Sequence, residues 1–113
     1  MTYHDHSDLR FMRQLRQNAP AAFGAFEEMT RAALDDETNP IPGKYAELMA
    51  LAVTLCTQCP YCIEDHSKKA KAAGATSEEL AQTVMIVSAL RAGAGMAHGL
   101  MATKFFEHDS SKN

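Results

Sequence analysis

The sequence predicts an all-α domain, and three observations carry that expectation. Strong helix formers (Ala, Met, Leu, Glu, Lys) dominate, while aromatic residues make up only 7% of the chain. Apolar residues recur at three- and four-residue intervals, and the strict alternation of a half-buried strand is missing. Proline, glycine and capping residues then divide the chain at lengths suited to helices. The reading is five or six helices in one domain spanning residues 1–113. N-terminal helices and a loop fill 1–41, a core fills 42–107, and a frayed tail follows at 108–113.

Each element has a local reason. Ser7 is placed to cap a first helix whose apolar face carries Phe11, Met12 and Leu15. Pro20 suits the first position of a second helix, on which Phe23, Phe26, Met29, Thr30 and Ala33 repeat. The stretch DDETNPIPG, Asp35 to Gly43, is dense in turn formers and reads as a loop. A third helix begins near Pro42 and runs through KYAELMALAVTLC. Pro60 disfavours helical geometry at Cys59 but fits the first turn of a new helix, so a break is expected around Thr57 to Cys59. The fourth helix, PYCIEDHSKKAKAA, ends at Gly74 after lysines that suit a helix C-terminus. TSEE, Thr76 to Glu79, is a capping box opening a fifth helix. That helix is expected to bend at Gly93 and Gly95, leaving MAHGLMATKFFEH as a sixth.

Composition narrows the function classes. The net charge of −3 gives no basic surface for nucleic acid or anionic membranes. MTYHDHSDLR has no apolar run of the signal-peptide kind. Apolar stretches are interrupted by Glu, Thr, Arg or Gly before about 18 residues, so no bilayer span is expected. A cytoplasmic protein is the resulting expectation. In that reducing compartment clustered cysteines point to catalysis or metal more often than to a structural staple.

All three cysteines lie in LCTQCPYCIEDH, and three readings of it compete. The first is apolar packing, in which thiols serve as small hydrophobes; for Cys56, closing the apolar run MALAVTLC, this is the favoured one. The second is a metal site. Cys56, Cys59, Cys62 and His66 run C-x2-C-x2-C-x3-H, which echoes an iron–sulfur ligand run and would suit tetrahedral zinc. Cluster loops are irregular, however, and both flanks here look helical. The third is a redox pair. With Pro60 opening a helix, Cys59 becomes the N-cap and Cys62 falls in the first turn, close enough for a disulfide. His66 stands one turn beyond Cys62 on the same face. The helix start and an adjacent histidine both favour a thiolate. Glu47, near the start of the preceding apolar helix, is either a solvated first-turn carboxylate or the group that orients His66 and holds its proton.

These residues resemble those of the AhpD-like alkylhydroperoxidases within the carboxymuconolactone decarboxylase family. Redox members of that family carry a glutamate, a CxxC beginning twelve residues later, and a histidine four residues after the second cysteine. Glu47, Cys59, Cys62 and His66 fall in that register, and the resemblance extends over about Pro42 to Leu100. It implies an all-helical subunit that assembles as trimers or hexamers and a thiol-dependent peroxidase. Cys62 would be the peroxidatic sulfur, Cys59 the resolving one, and Glu47 with His66 the proton relay. A hydroperoxide substrate is implied, together with an external thiol reductant, thioredoxin-like or lipoyl-bearing. No bound metal or organic cofactor is implied.

One position departs from the pattern. Many peroxidase members have a histidine immediately before the second cysteine, where this chain has Tyr61. A phenol can donate a hydrogen bond but does not titrate near neutrality. The wording CPYCIEDH is also similar to small peroxidase-like proteins associated with arsenosugar biosynthesis. His98, flanked by Gly95 and Gly99, reads first as a packing residue and second as a candidate for the surroundings of the pocket. His4 and His6, near the chain start, receive no role.

Overall fold

A computed structural model describes residues 3–108 of the chain, and every regular element among them is helical. A short 3-10 helix, His6–Phe11, runs directly into α1, Met12–Asn18. There follow α2 (Pro20–Leu34), α3 (Gly43–Thr57), α4 (Pro60–Ala72) and α5 (Ser77–Glu107). The tail expected to fray lies, from residue 109 onward, outside the described residues.

The first cap differs from expectation. Asp5, not Ser7, caps the N-terminal helix, its carboxylate accepting from the Ser7 amide at 2.9 Å and the Ser7 hydroxyl at 2.6 Å. Asp8 completes a capping box by accepting from the Asp5 amide at 3.1 Å. A carboxylate on each end of the box outcompetes the serine hydroxyl, which becomes a donor.

Pro20 opens α2 as anticipated. The turn between α3 and α4 is built by Gln58 in the left-handed conformation, φ 58°, followed by Cys59 as N-cap and Pro60 in the first turn. A Schellman motif closes α4. The Gly74 amide bonds to the Lys71 carbonyl at 3.1 Å and the Ala75 amide to the Ala70 carbonyl at 2.9 Å. Gly74 takes φ 98°, where a side chain would be strained. Thr76 and Glu79 then form the capping box of α5 at 3.0 and 3.1 Å.

The expected bend at Gly93 and Gly95 is absent, and α5 is one helix of 31 residues. Each glycine weakens a helix by only about 1 kcal/mol. No Ser, Thr, Asp or Asn between Leu90 and Met96 is available to cap a new start. Continuing the ladder satisfies the backbone better than interrupting it.

The core sits between α3 and α4, with α5 laid against α3. Ala46, Leu48, Leu51 and Ala70 are buried there, with Val87 entering from α5. The expected apolar faces of α1 and α2 are largely uncovered: Phe23 is buried, while Phe26 and Met29 are exposed. The chain is elongated, with a radius of gyration of 19.5 Å, against about 13 Å for a compact chain of this length. It exposes 8993 Å², where a compact protein of its mass exposes about 6,100 Å².

By length and composition α5 is apolar enough to cross a membrane, which the sequence reading did not anticipate. Interrupting residues such as Thr83, Ser88 and Gly93 are too weakly polar to lower its average hydropathy.

Candidate active site

The α3–α4 hairpin carries four of the predicted residues as two contacting pairs, Glu47 with His66 and Cys59 with Cys62. Glu47 faces inward from α3 because its neighbours Ala46, Leu48 and Leu51 set the buried face of that helix, and only 5% of the residue is exposed. A carboxylate this far from water needs a partner. His66 supplies it from α4, with Nδ1 at 2.7 Å from Glu47 Oε2. His66 itself is mostly buried. The contact engages Nδ1 and leaves Nε2 as the ring's second nitrogen. An open hollow of about 350 Å³ has Glu47 in its lining, together with Leu34, Asp35, Gly43 and Lys69.

Cys59 and Cys62 are joined as a disulfide, with Cα atoms 5.3 Å apart. Cys59 occupies the N-cap of α4 in extended geometry, and its sulfur accepts from the Cys62 amide at 3.3 Å. Both residues are half-buried. One sulfur therefore sits at the positive end of the helix dipole, and the other lies one turn before His66 on the same face. The arrangement suits a sulfur that becomes anionic, with a second sulfur in bonding reach and an imidazole held by a buried carboxylate nearby.

Cys56 does not join them. It is a free cysteine and exposed, contrary to the buried packing role expected of it. The turn of α3 on which it sits presents it outward, while Thr54 takes the buried position. The alternative ligand set Cys56, Cys59, Cys62 and His66 is accordingly not assembled. Among the described residues no group of three His, Cys, Asp or Glu side chains has metal-holding geometry. His98 lies exposed on α5 and is not brought to Cys62 or His66 within the subunit.

Sequence reasoning missed the N-terminal contacts of the site. Tyr61, between the two cysteines, donates its hydroxyl to Asp8 at 2.8 Å. The His4 ring meets the Tyr61 ring edge-on, centroids 4.2 Å apart. His6 Nδ1 lies 2.5 Å from Glu64 Oε2. The Asp8 hydrogen bond, with burial, pushes the Tyr61 phenol up from its ordinary pKa. The bond from His6 holds the Glu64 carboxyl below its ordinary value. These partners lie more than fifty residues apart, and no local pattern announces the pairing.

The sequence pattern of the carboxymuconolactone decarboxylase family matches residues 20–105, which include Glu47, Cys59, Cys62 and His66. The chain belongs to that family. Among its relatives is "Uncharacterized protein 4 in cox locus" of Paracoccus denitrificans, 46% identical over 66 residues. That match covers 58% of this chain and 53% of the relative, so the chain spans about half of that protein's length. An uncharacterized protein of Cupriavidus necator is 31% identical over 93 residues, covering 82% of this chain and 80% of the relative. The family match begins after the N-terminal contacts, so His4, His6 and Asp8 lie outside the matched span.

Proposed function

We propose that this chain is a thiol-dependent peroxidase that reduces a hydroperoxide at Cys62 and is recycled as a disulfide oxidoreductase. The observation that carries this reading is a bonded cysteine pair at the start of α4 with the buried His66–Glu47 hydrogen bond one turn downstream.

In the reduced enzyme the Cys62 thiolate attacks the terminal oxygen of ROOH. The O–O bond breaks, and the leaving oxygen takes a proton relayed by His66 and Glu47 to depart as ROH. Cys62 is thereby oxidised to a sulfenic acid. The Cys59 thiolate attacks that sulfur, the S–O bond breaks, and the oxygen leaves as water. An external dithiol then attacks Cys59, releasing Cys62, and closes to its own disulfide as it supplies two electrons and two protons. The reductant is a thioredoxin-like or lipoyl-bearing protein, and the chemistry needs no metal or organic cofactor in the domain.

The working unit is a homo-oligomer, a trimer or hexamer. Leu90, Met96, Leu100 and Phe105 are all more than 60% exposed on α5, an apolar surface large enough to mark an interface. Arg91, from the same helix, reaches the Leu55 and Cys56 carbonyls at 3.3 Å, tying α5 to the redox hairpin. Subunit contact, not a bilayer, is therefore the role given to α5, in keeping with a cytoplasmic protein.

The test is stoichiometric. Reduced protein treated with one equivalent of cumene hydroperoxide should lose two of its three thiols and yield one equivalent of alcohol. Retention of all three thiols would remove the peroxidase reading.

A further inference from the structure

The N-terminal segment is fastened to the first two turns of α4 at three places: Asp8 on the Tyr61 hydroxyl, His4 on the Tyr61 ring, and His6 on Glu64. Two of the three contacts converge on one side chain, and its backbone forms part of the four-residue ring closed by the Cys59–Cys62 bond. The same Asp8 oxygen, Oδ2, accepts from the Asp5 amide and from Tyr61. The cap that organises the N-terminal helix and the contact that holds the redox turn are thus one carboxylate. Leu9, Met12 and Leu15 share with Tyr61 the lining of an open hollow of about 520 Å³, so the apolar side of the segment also faces this ring.

We propose that Asp8 is a positioning residue of the redox site, holding Tyr61 so that the Cys59–Cys62 turn is stabilised as the disulfide. The argument is one of linkage. Closing the disulfide restricts the backbone of Pro60 and Tyr61, which lie inside its ring. A side chain already restricted loses less freedom when it docks on a partner. The segment 4–8 therefore docks more tightly on the oxidised turn than on the dithiol. Because coupling between two equilibria is reciprocal, docking must favour the disulfide by the same factor. The raised pKa of Tyr61 keeps the phenol a donor throughout the neutral range, so the contact does not titrate away there. Tyr3 and Asp5 are the other ionisable groups acting on the phenol, and His4, His6 and Lys68 act on Glu64 beside it.

This inference deepens the peroxidase reading and rests on it for its biological meaning, but its test does not need peroxide. The protein is equilibrated with mixtures of reduced and oxidised dithiothreitol. Reduction of the Cys59–Cys62 bond takes two electrons and two protons from the reagent, which closes to its own disulfide. The oxidised fraction is read by alkylation and mass. Tyr61→Phe removes the donor alone and should move the equilibrium about fivefold toward the dithiol, equivalent to about 20 mV. Asp8→Ala should move it in the same direction, and the double variant should move it no further than the larger single change. Asp8→Asn, which keeps an acceptor oxygen, should fall between Asp8→Ala and the parent.

A merely structural contact would lower the melting temperature of oxidised and reduced protein equally and leave the equilibrium where it was. Tyr61→Phe and Asp8→Asn both folded by circular dichroism, with unshifted equilibria, would overturn the proposal. Failure of the peroxide experiment alongside a shifted equilibrium would remove the peroxidase function and leave the coupling standing.

Discussion

The α3–α4 hairpin and α5 are built from similar residues and put to opposite use. In α3 the apolar run surrounds a carboxylate: Ala46, Leu48 and Leu51 are buried, and Glu47 is buried among them with His66 as its partner. In α5 the apolar run is longer, yet Val87 is its one buried residue, and Leu90, Leu100 and Phe105 face outward. The face of α3 turned to α4 is thus buried around an ionisable pair, while Met49 and Val53 on its other side stay exposed. The long helix leaves most of its apolar side chains exposed. The proposed chemistry thus sits on the most buried face of the molecule, and the proposed interface on the least buried.

The comparison breaks first at the sulfurs. Cys62→Ser is expected to abolish peroxide turnover, while Cys56→Ala, altering an exposed thiol outside the pair, should change it less than about twofold; coupled consumption of the external dithiol measures both. Equal losses would contradict the separate roles given to Cys62 and Cys56. Next is Glu47→Gln, which leaves the fold's shape but removes the charge that holds His66. Oxidation of Cys62 should slow about 10- to 100-fold, toward the lower range of general acid–base effects, as read by stopped-flow mixing with peroxide. An unchanged rate would take Glu47 out of the relay.

The long helix is tested by charge. Leu100→Glu adds a carboxylate at a position already 69% exposed in the subunit, so the subunit fold should survive while the assembly separates. Sedimentation velocity should then report a single chain of 12.4 kDa, and a mass unchanged from the parent would free this face from the interface.

The smallest effect belongs to the start of α5. Thr76→Ala should cost about 1 kcal/mol through the lost cap, read by urea denaturation. Backbone bonding from Thr76, then Lys44, holds the Glu79 carboxyl below its ordinary value. Its ionised form is therefore favoured by folding. That contribution is present above the usual glutamate range and lost as pH falls through the lowered folded value. The difference in melting temperature between the parent and Glu79→Gln should accordingly narrow as pH is taken below about 4.

The legible parts of the molecule were the local ones. Cys59 as N-cap, Pro60 in the first turn, Gly74 past the helix end and the Thr76–Glu79 box each depend on a few consecutive residues, and each was readable from spacing. The residues alone left Glu47 open between a solvated carboxylate and a partner of His66, and the resemblance to the family supplied the register. Cys56 was misjudged because an apolar run does not say which of its residues faces out. The continuity of α5 was missed because glycine was weighed as a breaker without asking whether a new cap was available. The contact between Asp8 and Tyr61 depends on how the N-terminal helices fold back over α4, a long-range choice that no short pattern encodes.

The most direct test of the central claim, that Cys62 is the sulfur oxidised under the control of the His66–Glu47 pair, is trapping in a Cys59→Ser variant. With the resolving thiol gone, one equivalent of hydroperoxide should leave a sulfenic acid that a dimedone reagent captures on Cys62, and mass spectrometry of the peptides locates it. The account predicts capture at Cys62, formed more slowly when Glu47→Gln is added. Capture at Cys56, or none at any cysteine, would contradict it.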